Sequence, residues 1–380
     1  MRVPRKSNKI YHFLFAGIDS GKFRPGERIP TELELARLFD VSRPTATAAI
    51  RRLVAEHLLQ RGRKAGTVVI GLPSRRTLTF GAVLLGLARQ DQEQTIFAGL
   101  GSELAHRASM EHSMMLLQDP QWDGHTNAAG LQLRYQEIAR RLIQQKVAGV
   151  FLMPLEISPA DNISPTVALV EEFAAARIPV VLIDGDIVRY PARSHLDLVG
   201  IDNFGAGFHL TQHFIRLGCR RIDFFGSTFR HPTQEARIAG YMAAFEAHGL
   251  RPDDSAVHHL DLRNNTLVLE KLRQRKPEAV LVVSDSRAAP IMRCALEDGW
   301  AIPQQLRLGS FDDLPMAAHL QVPLTTMRQP AAGLGVTAYR LMRQRLEEPG
   351  LPATHVQLSA ELIRRASSGE SITAKAGSRK

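Results

Sequence analysis

The chain has 380 residues, 44% of them hydrophobic, which is enough for the cores of two or three domains. No apolar run approaches the roughly 20 residues that span a bilayer, and the basic N-terminus lacks the continuous apolar core of an export signal. The net charge of +10 is uneven: residues 1–71 hold 14 Lys and Arg against 6 Asp and Glu, a net of +8, and residues 366–380 supply the other +2. A small basic head on a near-neutral body is expected to meet a polyanion through the head alone. The two cysteines, Cys219 and Cys294, lie far apart without ligand-type neighbours. The expectation is a cytoplasmic protein with no membrane partner, disulfide framework, zinc site or cofactor.

In chain order, Ile10, Phe13, Leu14 and Ile18 recur at helical spacing and predict a first helix from about Asn8 to Gly21, followed by a turn at Pro25-Gly26. Thr31 with Glu34 three residues on has the pattern of a capping box, and Leu35, Ala36, Leu38 and Phe39 give a short second helix its apolar side. Ser42 is positioned to cap a third helix, with Pro44 tolerated in the first turn. There Ala46, Ile50, Leu53 and Val54 face inward and leave Arg43, Thr45, Thr47 and Arg51 pointing out. Arginine and short hydroxyls near a helix N-terminus suit contact with DNA bases and phosphates. Leu58–Gln60 and Thr67–Ile70 predict paired strands, joined by a tip, Arg61 to Gly66, that carries Arg61, Arg63 and Lys64 with Gly62 and Gly66. Such a flexible cationic loop can approach a phosphate backbone closely.

Residues 8–70 resemble the winged helix-turn-helix domain of the GntR family. The family's glycine, Pro-Gly turn, "LP(S/T)E" run, "VSR" and closing Gly-Thr are matched by Gly21, Pro25-Gly26, Ile29-Pro30-Thr31-Glu32, Val41-Ser42-Arg43 and Gly66-Thr67. The resemblance implies that Ser42, Arg43 and Thr45 lie in or beside the major groove. The full candidate DNA-binding set is Thr31, Ser42, Arg43, Thr45, Thr47, Arg51, Arg61, Arg63, Lys64 and Gly66. Leu33 and Thr47 stand where many members carry arginine or another polar residue, which shifts the expected affinity toward the hairpin cations.

A short linker, 72–78, separates this domain from a different pattern. Apolar strands at 79–85, 114–118, 149–153, 180–184, 198–201, 221–225, 279–284 and 306–311 alternate with helices at 96–108, 131–145, 167–176, 206–217, 236–248, 266–273 and 287–298. This alternation predicts parallel sheets with helices on both faces, divided between two α/β lobes. The tail 366–380, rich in Ser, Gly and Lys, is expected to be disordered.

Several segments of the body resemble, in order, the LacI-type effector domain, which shares the fold of periplasmic sugar-binding proteins. They include Val199–Asn203, Leu217–Ile222, Arg237 with Gly240-Tyr241, Pro277–Asp285, Gly309–Asp313 and Pro323–Thr326. The resemblance covers residues 79–365 and implies a periplasmic-binding-protein-like type I fold. Its first lobe would hold about 79–196 and 326–353, and its second about 199–324 and 355–365, hinged by three crossovers. In such a fold the ligand lies between the lobes at the carboxyl ends of the strands. The candidate effector-binding residues are Gln94, Phe97, Asp184, Arg237, Ser284, Asp285, Phe311 and Asp312. Carboxylates accept hydroxyl protons, arginine donates, and Phe97 or Phe311 would cover an apolar sugar face. Arg89, Arg189 and Arg193 leave an anionic ligand such as a sugar phosphate open.

Head and body together resemble arabinose-responsive repressors, which join a GntR-type head to a LacI-type body. The implied function is a ligand-responsive, DNA-binding transcriptional regulator. It would be a homodimer on double-stranded operator DNA, released by a sugar or related molecule. A corepressor-dependent regulator and an enzyme fused to a winged-helix head are the alternatives.

Overall fold

The computed structural model describes residues 5–56, 58–62, 66–70, 77–87, 96–120, 128–155, 166–228 and 231–369. They form two compact units, Met1–Thr77 and Leu78–Lys380.

In the first unit α1 (Arg5–Asp19), α2 (Glu32–Leu38) and α3 (Arg43–Ala55) precede a hairpin of β1 (Leu59–Gly62) and β2 (Gly66–Val69). Ile10, Leu14, Leu35, Ala46, Ile50, Leu53 and Val69 close one core among all these elements. The capping box forms: the Glu34 amide donates to Thr31 Oγ1, and the Thr31 amide donates to Glu34 Oε2 at 2.7 Å. Two expectations fail locally. Leu38 is 63% exposed, because a seven-residue helix turns only Leu35 and Ala36 fully inward. Ser42 sits at the N-cap of α3, but its hydroxyl pairs with Thr45 Oγ1 at 2.9 Å instead of a backbone amide. The hairpin is antiparallel with Gly62 opposite Gly66, and the φ of +76° at Gly66 is a turn conformation that suits glycine. Arg63 and Lys64 lie outside the described residues.

The second unit runs through β3 (Thr79–Val83), α4 (Ile96–Met110), β4 (Met114–Gln118), α5 (Ala128–Gln144), β5 (Gly149–Leu152), α6 (Thr166–Ala175), β6 (Val180–Ile183) and β7 (Asp197–Ile201). It continues through α7 (Asn203–Arg216), β8 (Ile222–Ser227), α8 (Pro232–Ala247), β9 (Val257–Leu260), α9 (Asn265–Arg275), β10 (Ala279–Val282), α10 (Asp285–Glu297) and β11 (Arg307–Asp312). The last elements are β12 (Thr325–Arg328), α11 (Ala331–Glu347), β13 (His355–Leu358) and β14 (Glu361–Ile363). Two six-stranded sheets result, ordered β13-β7-β6-β5-β3-β4 and β14-β12-β11-β10-β8-β9. All neighbours are parallel except β12 and β14. This is the expected two-lobed α/β body.

The lobe boundaries differ from those expected. Residues 199–201 and 355–358 belong to the first sheet, where Leu198 pairs with Leu182 and with His355. Residues 326–328 belong to the second, where Thr326 pairs with Ser310. A strand buried along its whole length, as β7 is, shows no alternation that would assign it to one sheet. The chain therefore crosses between lobes just after β7, just after β12, and between β13 and β14. The expected disorder from residue 366 also fails at its start. Ser367 is buried, donating to the Leu308 carbonyl at 2.7 Å and accepting from the Thr325 amide at 2.8 Å. Residues 370–380 lie outside the described residues.

The second lobe depends on a close helix crossing. A methyl group on Gly207 of α7 would stand 2.1 Å from the Arg237 carbonyl oxygen, and one on Gly240 of α8 would stand 2.0 Å from that of Phe204. Only glycine allows this approach, and it sets the height of Arg237 above the sheet. Gly207→Ala is expected to destabilise the protein by about 1–3 kcal/mol through overpacking, read as a lower Tm. A Tm within error of wild type would show that the helices separate freely.

Candidate functional site

Two groups of residues stand out, one in each unit. In the head, Arg43 opens α3 and is exposed, while Arg61 lies near the end of β1, beside the hairpin loop. Arg51 is exposed, and Thr45 and Thr47 are part-buried. The Thr47 hydroxyl donates to the Arg43 carbonyl at 3.0 Å, so its proton is already engaged by the backbone one turn back. Thr31 is occupied as a cap, which fixes the start of α2. One neighbour was not singled out from the sequence: Glu32, whose Oε1 accepts from Arg61 Nη2 at 2.8 Å and whose Oε2 accepts from Arg43 Nε at 3.4 Å. The "LP(S/T)E"-type run that contains it was the available signal.

In the body, Asp184 ends β6 and Asp312 ends β11, both at positive φ, +69° and +116°. Such conformations cost about 1–3 kcal/mol each in non-glycine residues and cluster where a site holds its side chains in place. Arg237 is buried under them in α8. Its Nε donates to Asn203 Oδ1 at 2.8 Å and its Nη1 to the Val283 carbonyl at 2.7 Å. Its guanidinium carbon lies 4.4 Å from the centre of the Phe311 ring, a cation–π distance. Asp312 accepts from Gln329 Nε2 at 2.7 Å, which links the end of β11 to the crossover after β12.

His231 reaches this cluster from the N-cap of α8. Its Nδ1 lies 2.6 Å from Thr233 Oγ1 and also faces the Thr233 amide at 3.4 Å. Acceptance from that amide assigns the proton of the neutral ring to Nε2. Burial lowers the imidazole's proton affinity, against the opposing pull of Asp184. The ring packs on Gly185 of the first lobe, where a methyl group would come within 2.3 Å of it. Burial also pushes the Asp312 carboxyl up to about 8, against Arg237 and with Asp285 adding to the rise. The raised proton affinity favours the form of Asp312 that can donate a hydrogen bond.

The expected effector residues thus separate. Asp184, Arg237 and Asp312 converge, and Phe311 joins them from below as a fully buried support for Arg237 rather than as a lid on a sugar ring. Asp285 does not line the cleft. It is fully buried and accepts from Ser310 Oγ, from Thr326 Oγ1 at 2.7 Å and from the Leu314 amide at 2.8 Å, tying β11 and β12 to the start of α10. Ser284 is part-buried and pairs with Ser286 Oγ at 3.1 Å. Phe97 packs against the main core from the first turn of α4. Gln94 lies outside the described residues. Asn203, His231 and Gln329 were not anticipated as site residues. Asn203 and Gln329 sit where the chain crosses between lobes.

Three buried atoms of this group have no hydrogen-bond partner among the described residues: Asp184 Oδ1, His231 Nε2 and Gln329 Oε1. A cavity of about 280 Å³ opens beside Asp184 between the lobes, with Tyr190 and Arg193 on one side and Asn203, Phe204 and Thr233 on the other. Arg189, at the same lobe junction, donates to Glu235 Oε1 of α8 at 2.9 Å, so it is engaged in an ion pair that spans the lobes. A larger groove of about 440 Å³ runs along α10, lined by Pro290, Met292, Leu296 and Leu320. Ser286, Arg293, His319 and Gln321 supply its polar lining, all from the second lobe.

Sequence comparison fits both units. Residues 6–69 match the family described as bacterial regulatory proteins of the gntR family, and residues 211–368 match the periplasmic binding protein-like domain. The chain joins a GntR-type head to a periplasmic-binding-protein-like body. It is 25% identical over 348 residues to the arabinose metabolism transcriptional repressor of Geobacillus stearothermophilus, covering 88% of this chain and 89% of that one. Against catabolite control protein A of Priestia megaterium it is 24% identical over 320 residues, covering 83% and 89%. The solved complex of the transcriptional regulator CelR with cellobiose superimposes with a TM-score of 0.65 at 20% identity, over 89% of this chain and all of that one. Among the described residues, no helix is long and apolar enough to cross a membrane.

The Asp312 carboxyl gives this body a pH dependence of defined sign. In the unfolded chain an aspartate titrates near about 3.9. Between that value and about 8 the folded state retains a proton that the unfolded state has lost, so stability falls as pH rises through this window. Asp312→Asn, which keeps the shape of the protonated carboxyl, is expected to flatten that part of the Tm-against-pH curve. An unchanged slope would mean that Asp312 is ionised throughout.

Proposed function

We propose that this protein is a transcriptional regulator, most simply a repressor acting in the cytoplasm as a homodimer. Its GntR-type head would bind operator DNA, and its body would take a sugar or related polyhydroxylated molecule between the lobes. The observation that carries the effector half is the trio of buried, unpartnered polar atoms on Asp184, His231 and Gln329, which come from both lobes and a crossover. Buried polar groups normally have partners, and leaving one unmade costs about 1–3 kcal/mol. A ligand bearing several hydroxyls can accept from His231 and donate to the two oxygens. Arg237 and Arg193 face the carboxyls of Asp184, Asp186, Asp202 and Asp312, a balance that favours a neutral polyol over a sugar phosphate, and the ion pair between Arg189 and Glu235 removes one of the cations that would serve a phosphate. The relatives' names, an arabinose repressor and a cellobiose-bound regulator among them, support the same ligand class. Relatives of this kind bind DNA and regulate transcription, which supports a role without catalysis.

Ligand acts on DNA binding only through unequal affinity for two arrangements of the lobes. Closure around a sugar would change the spacing of the paired heads and so their fit to two half-sites. Release by ligand is the proposed sign; corepression would need the opposite preference through the same cleft.

Selection of duplexes from a random pool by the full-length protein, followed by titration with sugars, polyols and sugar phosphates, tests both halves. Recovery of a two-fold-symmetric duplex that one neutral sugar releases is the expected result. Failure to enrich any duplex, with or without these compounds, would overturn the proposal. Asp184→Asn is expected to weaken the active sugar about tenfold or more, the scale of a hydrogen bond to a charged group, measured by titration calorimetry. Arg43→Ala is expected to lower operator affinity and relax discrimination at one base pair by about tenfold.

A further inference from the structure

We infer that Glu32, a carboxylate on the cationic face of the head, is a positioning residue for DNA sequence discrimination. The inference rests on the DNA-binding reading of the head. Glu32 is the first residue of α2 and stands between two arginines from different elements: Arg43 at the start of α3 and Arg61 at the end of the ascending hairpin strand. Each carboxylate oxygen serves one of them, Oε1 taking Arg61 Nη2 and Oε2 taking Arg43 Nε. A single side chain thereby bridges the helix suited to reading bases to the hairpin suited to approaching phosphates.

The atoms used decide what remains available. Arg43 gives Glu32 only its Nε–H, so both terminal amino groups stay free of partners among the described residues and 71% of its side chain remains exposed. Two parallel terminal donors are what bidentate recognition of guanine O6 and N7 requires. Arg61 gives Glu32 one terminal amino group and keeps its Nε–H and the other amino group for a backbone oxygen. A freely rotating arginine can satisfy itself on any nearby phosphate, a contact that carries no sequence information. An arginine held by its Nε has fewer such options and meets the base edge in one orientation.

Stability does not explain the arrangement, because exposed ion pairs contribute little to folding. Nor does nonspecific affinity, because a carboxylate beside phosphates repels them. Both costs are consistent with a group whose effect lies in the ratio of specific to nonspecific binding.

The test uses the full-length protein, a duplex enriched from a random pool, and a scrambled duplex of the same length and composition. Anisotropy titrations across a salt series compare wild type with Glu32→Gln, Glu32→Asp and each of these combined with Arg43→Ala. Glu32→Gln removes the charge. Glu32→Asp keeps it, and keeps the favourable charge in the first turn of α2, but is one methylene too short to span both arginines. The expected result is that both variants lose about tenfold in discrimination. Only Glu32→Gln should also tighten on scrambled DNA, with a salt slope steeper by about 0.9 for each phosphate gained. In the Arg43→Ala background neither variant should lose discrimination further, since the group being positioned is gone.

Discrimination at the wild-type level in Glu32→Asp, with Glu32→Gln tightening on both duplexes alike, would reduce Glu32 to a repelling charge and overturn the inference. Strict additivity of the Glu32 and Arg43 losses would overturn it too. If wild type enriches no duplex at all, the DNA-binding reading itself has failed and the inference falls with it. That outcome differs from one in which wild type discriminates and the variants match it.

Discussion

A buried guanidinium is tolerated only when its donors and its charge are answered, since an unpaired ion in a protein interior costs several kcal/mol. Arg237 meets this condition through Asn203, the Val283 carbonyl and the face of Phe311. Each partner comes from a different segment: the start of α7, the end of β10 and the inside of β11. The arginine thereby holds the carboxyl ends of the second lobe's strands in register with the helix that follows the first crossover. Its own position is set by the glycine-lined contact between α7 and α8, because a bulkier residue at 207 would push against its backbone. A packing constraint made by glycines thus ends as an electrostatic one at the cleft.

The charge balance around this node follows from its depth. Asp312 is pulled toward ionisation by Arg237, yet burial and the neighbouring carboxyls prevail and raise its proton affinity. Asp285 also has a raised proton affinity, to about 6, for the same first reason, although its oxygens are occupied within the lobe. The cleft therefore presents donors and acceptors of several kinds. The head is the opposite case: Arg43 and Arg61 are exposed and share one carboxylate, Glu32.

Much of this was legible in the sequence because the signals were periodic or local. The capping box at Thr31 and Glu34, the strand–helix alternation of the body and the carboxyls at strand ends all follow from short-range patterns. Residues that act across the chain were harder to see. His231 and Gln329 acquire meaning only when α8 and the crossover after β12 are brought beside Asp184 and Asp312. Asp285 carried the right chemistry at the right strand end, but the hydroxyls of Ser310 and Thr326 and the amide of Leu314 turn it inward, and no local pattern announces that. The lobe boundaries slipped for a related reason, since a fully buried strand such as β7 looks the same whichever sheet it joins. Glu32 was passed over because an acidic residue on a basic surface reads as ordinary solvated charge until both of its partners are located.

The contact between His231 and Gly185 ties the two lobes together at a single backbone position. The imidazole rests on the bare backbone of the opposite lobe, where a methyl group at 185 would come within 2.3 Å of the ring. The spacing of the lobes at this point is thus set by the absence of one β-carbon.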